Sequence, residues 1–297
     1  MECVVLNIAK PTFNDPHFYT RWEDVGLLAT PALIPELVTV LVCDQHTDVT
    51  QEFLNNYPNL KYICSATTGH THLKFNQSKY YVLTLRGHRE FLKTIRSVSE
   101  YTIHRMLNMF KYDSQSAAGK TLGIIGYGRI GRHVGELAQA LKMNVLTFDV
   151  DSAPEKIESI FRVADVITIH LEENEATRGM INERLISFMP HGSYFINTSR
   201  ASIVDEKALA GAQDKLAGIC LDVWENRDLF KPLSTVTITN HIAGSSKEDR
   251  IKTDVFIIEK LKDLILLHSS RPSQLPLSPE KSSSRPETST PPGPTQA

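Results

Sequence analysis

One short segment constrains the fold more than any other part of this chain. Residues 122–125 form an apolar run that is typical of a buried parallel strand, and this run leads directly into Gly126-Tyr-Gly128-Arg-Ile-Gly131. A helical pattern follows, and a second strand pattern ends at Asp149. Strand, glycine turn, helix, strand and acid, in this order, are the arrangement of a dinucleotide-binding unit.

The three glycines have different predicted tasks. Gly126 allows the tight turn, Gly128 lets the backbone approach a pyrophosphate, and Gly131 lets the helix pack closely on the strand. The helix N-terminus offers N–H groups and a partial positive charge to the phosphates. The cofactor-binding residues predicted in this turn are Gly126, Gly128, Arg129, Ile130 and Gly131.

Asp149 predicts which dinucleotide the unit binds. A carboxylate at the end of the second strand can accept both ribose hydroxyls, and its charge repels a 2′-phosphate. The cofactor expected is therefore NAD rather than NADP. Arg129 weakens this preference slightly, because an arginine near Asp149 could meet a phosphate.

Composition excludes several classes of protein. The formal net charge of −2 and the isoelectric point near 6.6 give no electrostatic case for nucleic acid or an anionic membrane. The four cysteines form no CxxC pair, so buried thiols are expected rather than disulfides or a metal site.

The N-terminus has neither the basic start nor the long apolar run of a signal peptide. No stretch approaches the ~18 apolar residues of a membrane span. A cytoplasmic location is expected.

Alternating strand-like and helix-like runs along the chain predict an α/β fold with parallel sheets. A helix is expected from Ser97, where Ser97-Val-Ser-Glu100 resembles a capping box, and a second box at Ser245-Ser-Lys-Glu248 opens a later helix. A short helical pattern over 49–57 separates two early strands. Residues 269–297 are rich in Pro, Ser and Thr and are expected to be disordered.

Three chemically active side chains follow predicted strands of the nucleotide-binding unit. Arg200, Asp222 and His241 each come where a parallel strand ends, and ligands bind beyond the carboxyl ends of such strands. An arginine can hold a carboxylate in a two-point grip, and a histidine can carry the proton that moves with a hydride. Taken singly, Arg200 could cap a helix and His241 could be an ordinary loop histidine.

These motifs resemble those of the D-isomer-specific 2-hydroxyacid dehydrogenases. The likeness is specific from about residue 97 to 246 and weaker before it. It is carried by Leu122–Gly131, His170-Leu…Ala176-Thr-Arg-Gly-Met-Ile-Asn182, Phe195-Ile-Asn-Thr-Ser-Arg-Ala-Ser-Ile-Val-Asp205, Leu221-Asp-Val-Trp-Glu225 and Asn240-His-Ile-Ala-Gly-Ser245, with Thr67-Thr-Gly-His-Thr71 in the weaker part.

The resemblance implies roles for single residues. Arg200 and His241 are the implied catalytic pair, and Asp222 faces the nicotinamide, with Gly244 in the same cofactor site. The turn around Gly69, together with Arg200, is the implied contact for the substrate carboxylate.

The resemblance also implies an architecture. A doubly wound parallel-sheet (Rossmann) NAD domain at 97–244 is joined to a smaller flavodoxin-like α/β substrate domain, built from 1–96 and a returning helix at 245–268. A homodimer, formed through the nucleotide domain, is the implied assembly.

One departure concerns the catalytic acid. The family's glutamate lies five residues after the aspartate of the Leu-Asp-Val motif, and here that position is Arg227. The acid is either supplied by Glu225 or Asp228 or missing altogether. A carboxylate beside a histidine favours the imidazolium form, whereas an arginine opposes it.

We therefore expect an NAD-dependent oxidoreductase that transfers hydride between the nicotinamide and C2 of a small 2-hydroxy or 2-oxo acid. One alternative is a catalytically weak NAD(H)-binding protein with a regulatory role. Another is a phosphoglycerate dehydrogenase-like enzyme whose phosphorylated substrate is met by Arg86, Arg89 and Lys93, although solvation of a polar linker explains these three equally simply.

Overall fold

Every strand pairing in the described part of the chain is parallel. The structure is a computed structural model, and it describes residues 3–8, 27–29, 34–232 and 235–270. One unit combines the residues up to Arg86 with those from Thr253 onward, and the other runs from Gly87 to Lys252. The α/β class predicted from the sequence is confirmed.

The strands follow one another along the chain as β1 Cys3–Asn7, β2 Leu27–Ala29, β3 Val38–Cys43, β4 Val49–Thr50, β5 Tyr62–Ser65, β6 Leu73–Lys74, β7 Tyr81–Thr84, β8 Thr121–Ile125, β9 Asn144–Phe148, β10 Val166–Ile169, β11 Tyr194–Asn197, β12 Gly218–Leu221 and β13 Val236–Ile238. The α-helices are α1 Gln51–Leu54, α2 Arg89–Leu92, α3 Ser97–Tyr112, α4 Arg129–Ala140, α5 Glu155–Val163, α6 Glu183–Phe188, α7 Glu206–Gly211 and α8 Lys247–Ser270. Short 3₁₀ helices occupy Pro35–Leu37, Gln77–Lys79, Ala201–Ile203 and Arg227–Leu229.

The first unit contains a five-stranded sheet in the order β2-β1-β3-β5-β7 and a two-stranded sheet of β4 and β6. Counted along the chain, the larger sheet has the order 2-1-3-4-5, which is the flavodoxin-like order. Its strands bury apolar side chains that include Val38, Leu41 and Ile63. From the C-terminal part of α8, His268 Nδ1 lies 3.0 Å from the Tyr62 hydroxyl.

The second unit contains a six-stranded sheet in the order β13-β12-β11-β10-β8-β9. Every residue of β10, β11 and β12 is buried, as expected for central strands that are covered on both faces. At the border, β9 alternates exposed and half-buried residues before it ends in the buried Phe148. Counted along the chain the order is 2-1-3-4-5-6, whereas a Rossmann domain commonly has 3-2-1-4-5-6. The third strand here lies on the far side of the first.

Two predicted local features are wrong in detail. The helix expected over 49–57 is shorter, because the N–H of Val49 donates to His72 O and extends β4, and α1 begins only after Thr50. The Thr50 side chain caps α1 by accepting the Phe53 N–H. The capping box at Ser97 does not form, and the N–H groups of Arg96 and Ser97 donate instead to Asp249 Oδ2, each at 2.8 Å.

The C-terminal helix also differs from its prediction. The Ser246 hydroxyl accepts the Asp249 N–H at 3.2 Å, so the cap lies one residue later than the predicted box. Residues 269 and 270, assigned to the disordered tail, are the last two residues of α8. The rest of the predicted tail, 271–297, lies outside the described residues.

Among the described residues no helix combines the length and the apolar character needed to cross a membrane. The same residues contain no group of three or more His, Cys, Asp or Glu side chains that could hold a metal ion.

Candidate cofactor and active site

The turn after β8 needs glycine at two positions for reasons internal to the protein. Gly126 has φ +98°, and a Cβ there would lie 2.5 Å from the carbonyl carbon of His170. A Cβ on Gly131 would lie 2.1 Å from the carbonyl oxygen of Gly126. Side chains at these two positions are therefore excluded by the packing of the turn itself.

Gly128 is different, because a Cβ there would meet nothing within 4 Å. It is the N-cap of α4, and no side chain caps the helix. The packing of this unit thus leaves open space beside the first N–H groups of α4. Such space and such donors suit an anionic phosphate group, and a side chain would intrude on it.

The side chain of Arg129 is held by the chain itself. Its Nη1 donates to the carbonyl oxygens of Leu92 at 3.2 Å and Ile95 at 3.1 Å. Burial lowers the pKa of this guanidinium, and the nearby Asp249 partly offsets the effect. In the predicted cofactor site, the main-chain N–H of Arg129 and not its side chain would therefore meet a phosphate at the start of α4. The next residue, Ile130, packs its side chain against the buried core of the unit.

Asp149 lies directly after β9 in a tight turn. Its N–H donates to the Ser152 hydroxyl at 3.1 Å, and its carbonyl oxygen accepts the Ser152 N–H at 2.7 Å. Oδ1 of its half-buried carboxylate accepts the Val150 N–H at 2.9 Å. The turn fixes the carboxylate at the carboxyl end of the strand, where it can accept hydroxyl groups.

Arg200 lies in the loop after β11, and Asn197 shapes that loop. Asn197 Nδ2 donates to the Arg200 carbonyl oxygen at 3.0 Å, and its Oδ1 accepts the Ser199 N–H at 3.0 Å. Arg200 Nη1 donates to the Ser199 carbonyl oxygen at 2.7 Å. The Ser199 hydroxyl donates to the carbonyl oxygen of Leu171, so the loops after β11 and β10 are joined.

Asp222 is fully buried, and its carboxylate holds the loop after β13. Oδ1 accepts the Thr239 hydroxyl at 2.6 Å and the Ile242 N–H at 2.9 Å, while Oδ2 accepts the Ala243 N–H at 2.8 Å. The Asp222 carbonyl oxygen accepts the His241 N–H at 2.7 Å. In this structure the aspartate positions the histidine loop. Its implied place beside the nicotinamide stays a prediction.

His241 has φ +54°, a left-handed conformation that is uncommon for residues other than glycine. Such strain persists only where the surroundings impose it, and it concentrates at functional sites. The imposed geometry comes from the bonds to Asp222 on both sides of the histidine. Gly244 follows on the exposed surface, where a Cβ would make only ordinary contact with Val98 Cγ2 at 3.7 Å.

A hydrogen-bonded chain that the sequence did not reveal supports this loop. A carboxylate can only accept, so the Thr239 hydroxyl donates to Asp222 and in turn accepts from the Tyr101 hydroxyl at 2.6 Å. Burial raises the pKa of Tyr101, which keeps it a donor. Trp224 Nε1 donates to the Thr239 carbonyl oxygen at 3.0 Å. The only sequence signal was the place of Thr239 directly before Asn240-His241.

The structure brings Arg200, Asp222 and His241 to one edge of the sheet, because β11, β12 and β13 are neighbours in it. The Asp222 N–H donates to the Asn197 carbonyl oxygen at 2.9 Å, so Asp222 links the arginine segment to the histidine segment that its own carbonyl oxygen holds. Gly69 belongs to the other unit, where its carbonyl oxygen accepts the Thr67 hydroxyl at 2.8 Å.

The candidate acids lie on the surface. Glu225, Arg227 and Asp228 all have exposed side chains. The N–H groups of Glu225 and Asn226 donate to the two carboxylate oxygens of Glu206, at 2.8 and 2.9 Å, which fixes the backbone of this segment.

Known proteins resemble this chain in sequence and in fold. D-3-phosphoglycerate dehydrogenase of Escherichia coli K12 is 36% identical over 194 residues, which are 58% of this chain and 47% of that protein. Glycerate dehydrogenase of Methylorubrum extorquens is 28% identical over 280 residues, 82% of this chain and 88% of the relative. The crystal structure of D-lactate dehydrogenase from Aquifex aeolicus, complexed with NAD and lactic acid, superposes with a TM-score of 0.70 at 22% identity and covers 90% of this chain and 96% of that one.

The chain thus spans about half the length of the phosphoglycerate dehydrogenases that it matches. Residues 81–243 match the family described as D-isomer specific 2-hydroxyacid dehydrogenase, NAD binding domain. This stretch is more than half of the 297 residues and contains the whole glycine turn, Asp149 and the three strand-end residues. The chain therefore belongs to the family of D-isomer specific 2-hydroxyacid dehydrogenases, whose cofactor is NAD.

Proposed function

We propose that this protein is an NAD-dependent oxidoreductase that interconverts a small 2-hydroxy acid and the corresponding 2-oxo acid. The observation that carries the proposal is that Arg200 and His241 lie in loops at the same carboxyl edge of the NAD-binding sheet. Asp222, between them, bonds to both segments and holds His241 in a left-handed conformation. The bound nicotinamide would supply or take up the hydride at C2.

Arg200 would hold the substrate. One guanidinium nitrogen is already bonded to the Ser199 carbonyl oxygen, which limits how the side chain can turn. A guanidinium has further N–H donors in a planar fork, so it can bind a carboxylate at two points and polarise an adjoining carbonyl. The glycine turn at Gly69 is proposed as a second contact for the same carboxylate.

His241 would move the proton. During reduction it would donate to the oxygen on C2, and during oxidation it would accept the hydroxyl proton. The fixed backbone on both sides of His241 orients the imidazole in advance, so little reorganisation is needed when substrate binds.

The proposal is tested by following NADH consumption with a panel of small 2-oxo acids. Arg200→Gln and His241→Gln are each expected to lower the rate by about 10² to 10⁴, the usual cost of losing such a group, while NADH still binds. His191→Gln, which changes an exposed histidine of the same unit, is the matched control and should keep full activity. Full turnover by His241→Gln at neutral pH would contradict the assigned role.

A second candidate function is NAD(H) binding with weak catalysis. The exposed positions of Glu225, Arg227 and Asp228 favour it, because a carboxylate in this segment is the family's partner for the histidine. Absence of turnover with every 2-oxo acid, combined with tight NADH binding, would favour this candidate over the first.

A third candidate is a phosphorylated substrate, such as that of the phosphoglycerate dehydrogenases matched above. Two of the three cations predicted for it have partners within the chain. Arg86 Nη1 donates to His70 Nδ1 at 2.8 Å, and Lys93 Nζ lies 2.8 Å from Glu90 Oε1. The panel therefore includes 3-phosphohydroxypyruvate. Faster NADH consumption with this compound than with the unphosphorylated 2-oxo acids would favour the third candidate.

Homodimerisation and a cytoplasmic location complete the proposal. The first rests on the family resemblance and is tested by light scattering of the purified chain. The second rests on composition, and it is tested by cell fractionation.

A further inference from the structure

The chain enters the second unit at Gly87 and reaches its long first helix, α3, only at Ser97. Residues 87–96, here called the entry segment, contain the single helical turn α2. Two charged side chains from distant parts of the second unit bond to the main chain of this segment. They are Arg129, the first residue of α4, and Asp249, in the first turn of α8.

Arg129 has two attachments that differ in kind. Its Nη1 donates to the carbonyl oxygens of Leu92 and Ile95, at 3.2 and 3.1 Å, so the side chain holds the entry segment. Its main chain begins α4 directly after the N-cap Gly128, where the cofactor phosphate is predicted to bind. One residue therefore spans the distance between the cofactor turn and the entry segment.

Asp249 holds the other end of the entry segment. Oδ2 of this buried carboxylate accepts the N–H groups of Arg96 and Ser97, each at 2.8 Å. The charge of Asp249 also raises the pKa of Arg129 against the lowering effect of burial. The entry segment is thus held at two carbonyl oxygens by the arginine and at two N–H groups by the aspartate.

The start of α4 is a place where bound phosphate would change the order of the main chain. No side chain caps this helix at Gly128, and the first N–H groups of a helix have no partner within it. A helix end without a cap opens readily, and a phosphate bound there takes the place of the cap. When the backbone of Arg129 becomes more ordered, its side chain loses less entropy in holding the two carbonyls.

We propose that Arg129 is a positioning residue through which cofactor binding and the order of the entry segment depend on each other. Asp249 takes part by fixing the far end of the segment. Because such a coupling is reciprocal, loosening the segment should weaken cofactor binding, just as cofactor binding should tighten the segment. The proposal requires only that NAD(H) binds, and it stands whether or not the protein turns over 2-oxo acids.

The first test measures amide hydrogen exchange in the full chain with and without saturating NADH. Peptides covering residues 92–97 are expected to exchange more slowly with NADH bound. Arg129→Met should lose most of this slowing even when NADH is saturating, and Arg129→Lys, which keeps a cationic donor, should retain part of it. Arg132→Met removes an exposed arginine from the same helix and is the matched control, with the slowing expected in full.

The second test measures NADH affinity after a change that leaves α4 and its glycine turn unaltered. Asp249→Ala releases the N–H groups of Arg96 and Ser97 and should weaken NADH binding about fivefold or more, the lower end of usual couplings between sites. The control is Asp205→Ala, which removes the carboxylate that caps α7 and so also lowers stability. It should bind NADH as the unaltered protein does.

Three results would overturn the proposal. The first is equal slowing of exchange in Arg129→Met and the unaltered protein, and the second is no slowing at saturating NADH in the unaltered protein. The third is weaker NADH binding in Arg129→Met with unchanged binding in Asp249→Ala, because the guanidinium would then act on the phosphate directly. If Arg129→Met does not fold, equal NADH affinity of Asp249→Ala and Asp205→Ala is sufficient to reject the coupling.

Discussion

The carbonyl oxygen of Asp222 accepts the N–H of His241, and the carboxylate of the same aspartate accepts the N–H groups of the two residues that follow. One buried side chain and its own main chain therefore determine the backbone at the proposed proton donor. These bonds fix the backbone that follows β13 and so hold His241 at its positive φ.

Asp222→Asn tests this support. The amide has only one accepting oxygen, so at least one of the N–H groups of Ile242 and Ala243 loses its partner. We expect the free energy of unfolding to fall by about 1–3 kcal/mol and the reduction rate to fall more than NADH affinity does. Asp214→Asn, at an exposed pair with Lys231, is the control and should change neither quantity. An unaltered rate in Asp222→Asn would show that the loop does not depend on the carboxylate.

The glycines of the turn should separate folding from binding. Gly128→Ala should leave the melting temperature unchanged and weaken NADH binding, because its Cβ enters open space next to the start of α4. Gly131→Ala should lower the melting temperature, because its Cβ would lie 2.1 Å from the Gly126 carbonyl oxygen. Gly211→Ala, with nothing within 4 Å of its Cβ, should affect neither measurement. NADH titrations and thermal melts of the three variants check this, and undiminished binding by Gly128→Ala would argue against a phosphate site there.

Asp149 should determine the preference between cofactors. The unaltered protein is expected to bind NADH more tightly than NADPH, and Asp149→Ala should narrow the difference by removing both the ribose hydrogen bonds and the charge repulsion. Asp151→Ala removes an equal charge two residues later, on an exposed side chain, and should preserve the preference. Fluorescence titrations with both cofactors measure the effect. Tighter NADPH binding by the unaltered protein would refute the assignment.

Asp249 should make stability depend on pH. Burial alone would raise its pKa, but the N–H groups of Ser97 and Arg96 and the Lys252 ammonium outweigh burial, so the pKa lies below the usual 3.8. The carboxylate therefore stabilises the fold fully above about pH 4, and this contribution is lost as pH falls through the lowered pKa. Asp249→Asn should lower stability at neutral pH, and the gap to the unaltered protein should close in acid. Urea unfolding across the pH range measures it, with the exposed Asp263→Asn as control.

The acid that accompanies His241 can be identified from the pH–rate profile. If Glu225 or Asp228 turns toward His241 during catalysis, Glu225→Gln or Asp228→Asn should shift the basic limb of the profile to lower pH. If no carboxylate does so, reduction should fade above about pH 6.5, the ordinary value for an imidazole, and Arg227→Glu should extend activity to higher pH. A profile that none of the three substitutions moves would exclude an imidazole–carboxylate pair from the mechanism.

The sequence predicted the cofactor unit well because each of its elements is local. The strand at 122–125, the glycine turn and the acid at 149 need only short-range patterns to recognise, and the structure has β8, α4 and β9 there. The order of the strands across the sheet was not predictable in this way. A buried strand such as β10 has the same apolar sequence pattern whichever side of β8 it occupies.

The site was predictable in its residues but not in its contacts. Arg200 and His241 follow strands and could be placed at one edge of the sheet from the pattern alone. The roles of Asp222 and Asp249 depend on partners far along the chain, since Asp249 caps the helix that begins 152 positions earlier. Ser97 begins a capping sequence, but the N–H groups of Arg96 and Ser97 donate to the distant Asp249 carboxylate instead.

The strand order of the second unit has a consequence for local unfolding. Since β9 pairs with β8 alone in the described sheet, the hydrogen bonds of one ladder hold the strand that presents Asp149. A border strand with exposed positions can detach without opening the core, so its amide protons should exchange with solvent sooner than those of β10 or β11. The ribose end of the cofactor would then rest on a border strand of its sheet. Cofactor binding there would slow amide exchange in β9, because the binding free energy adds to the cost of detaching the strand.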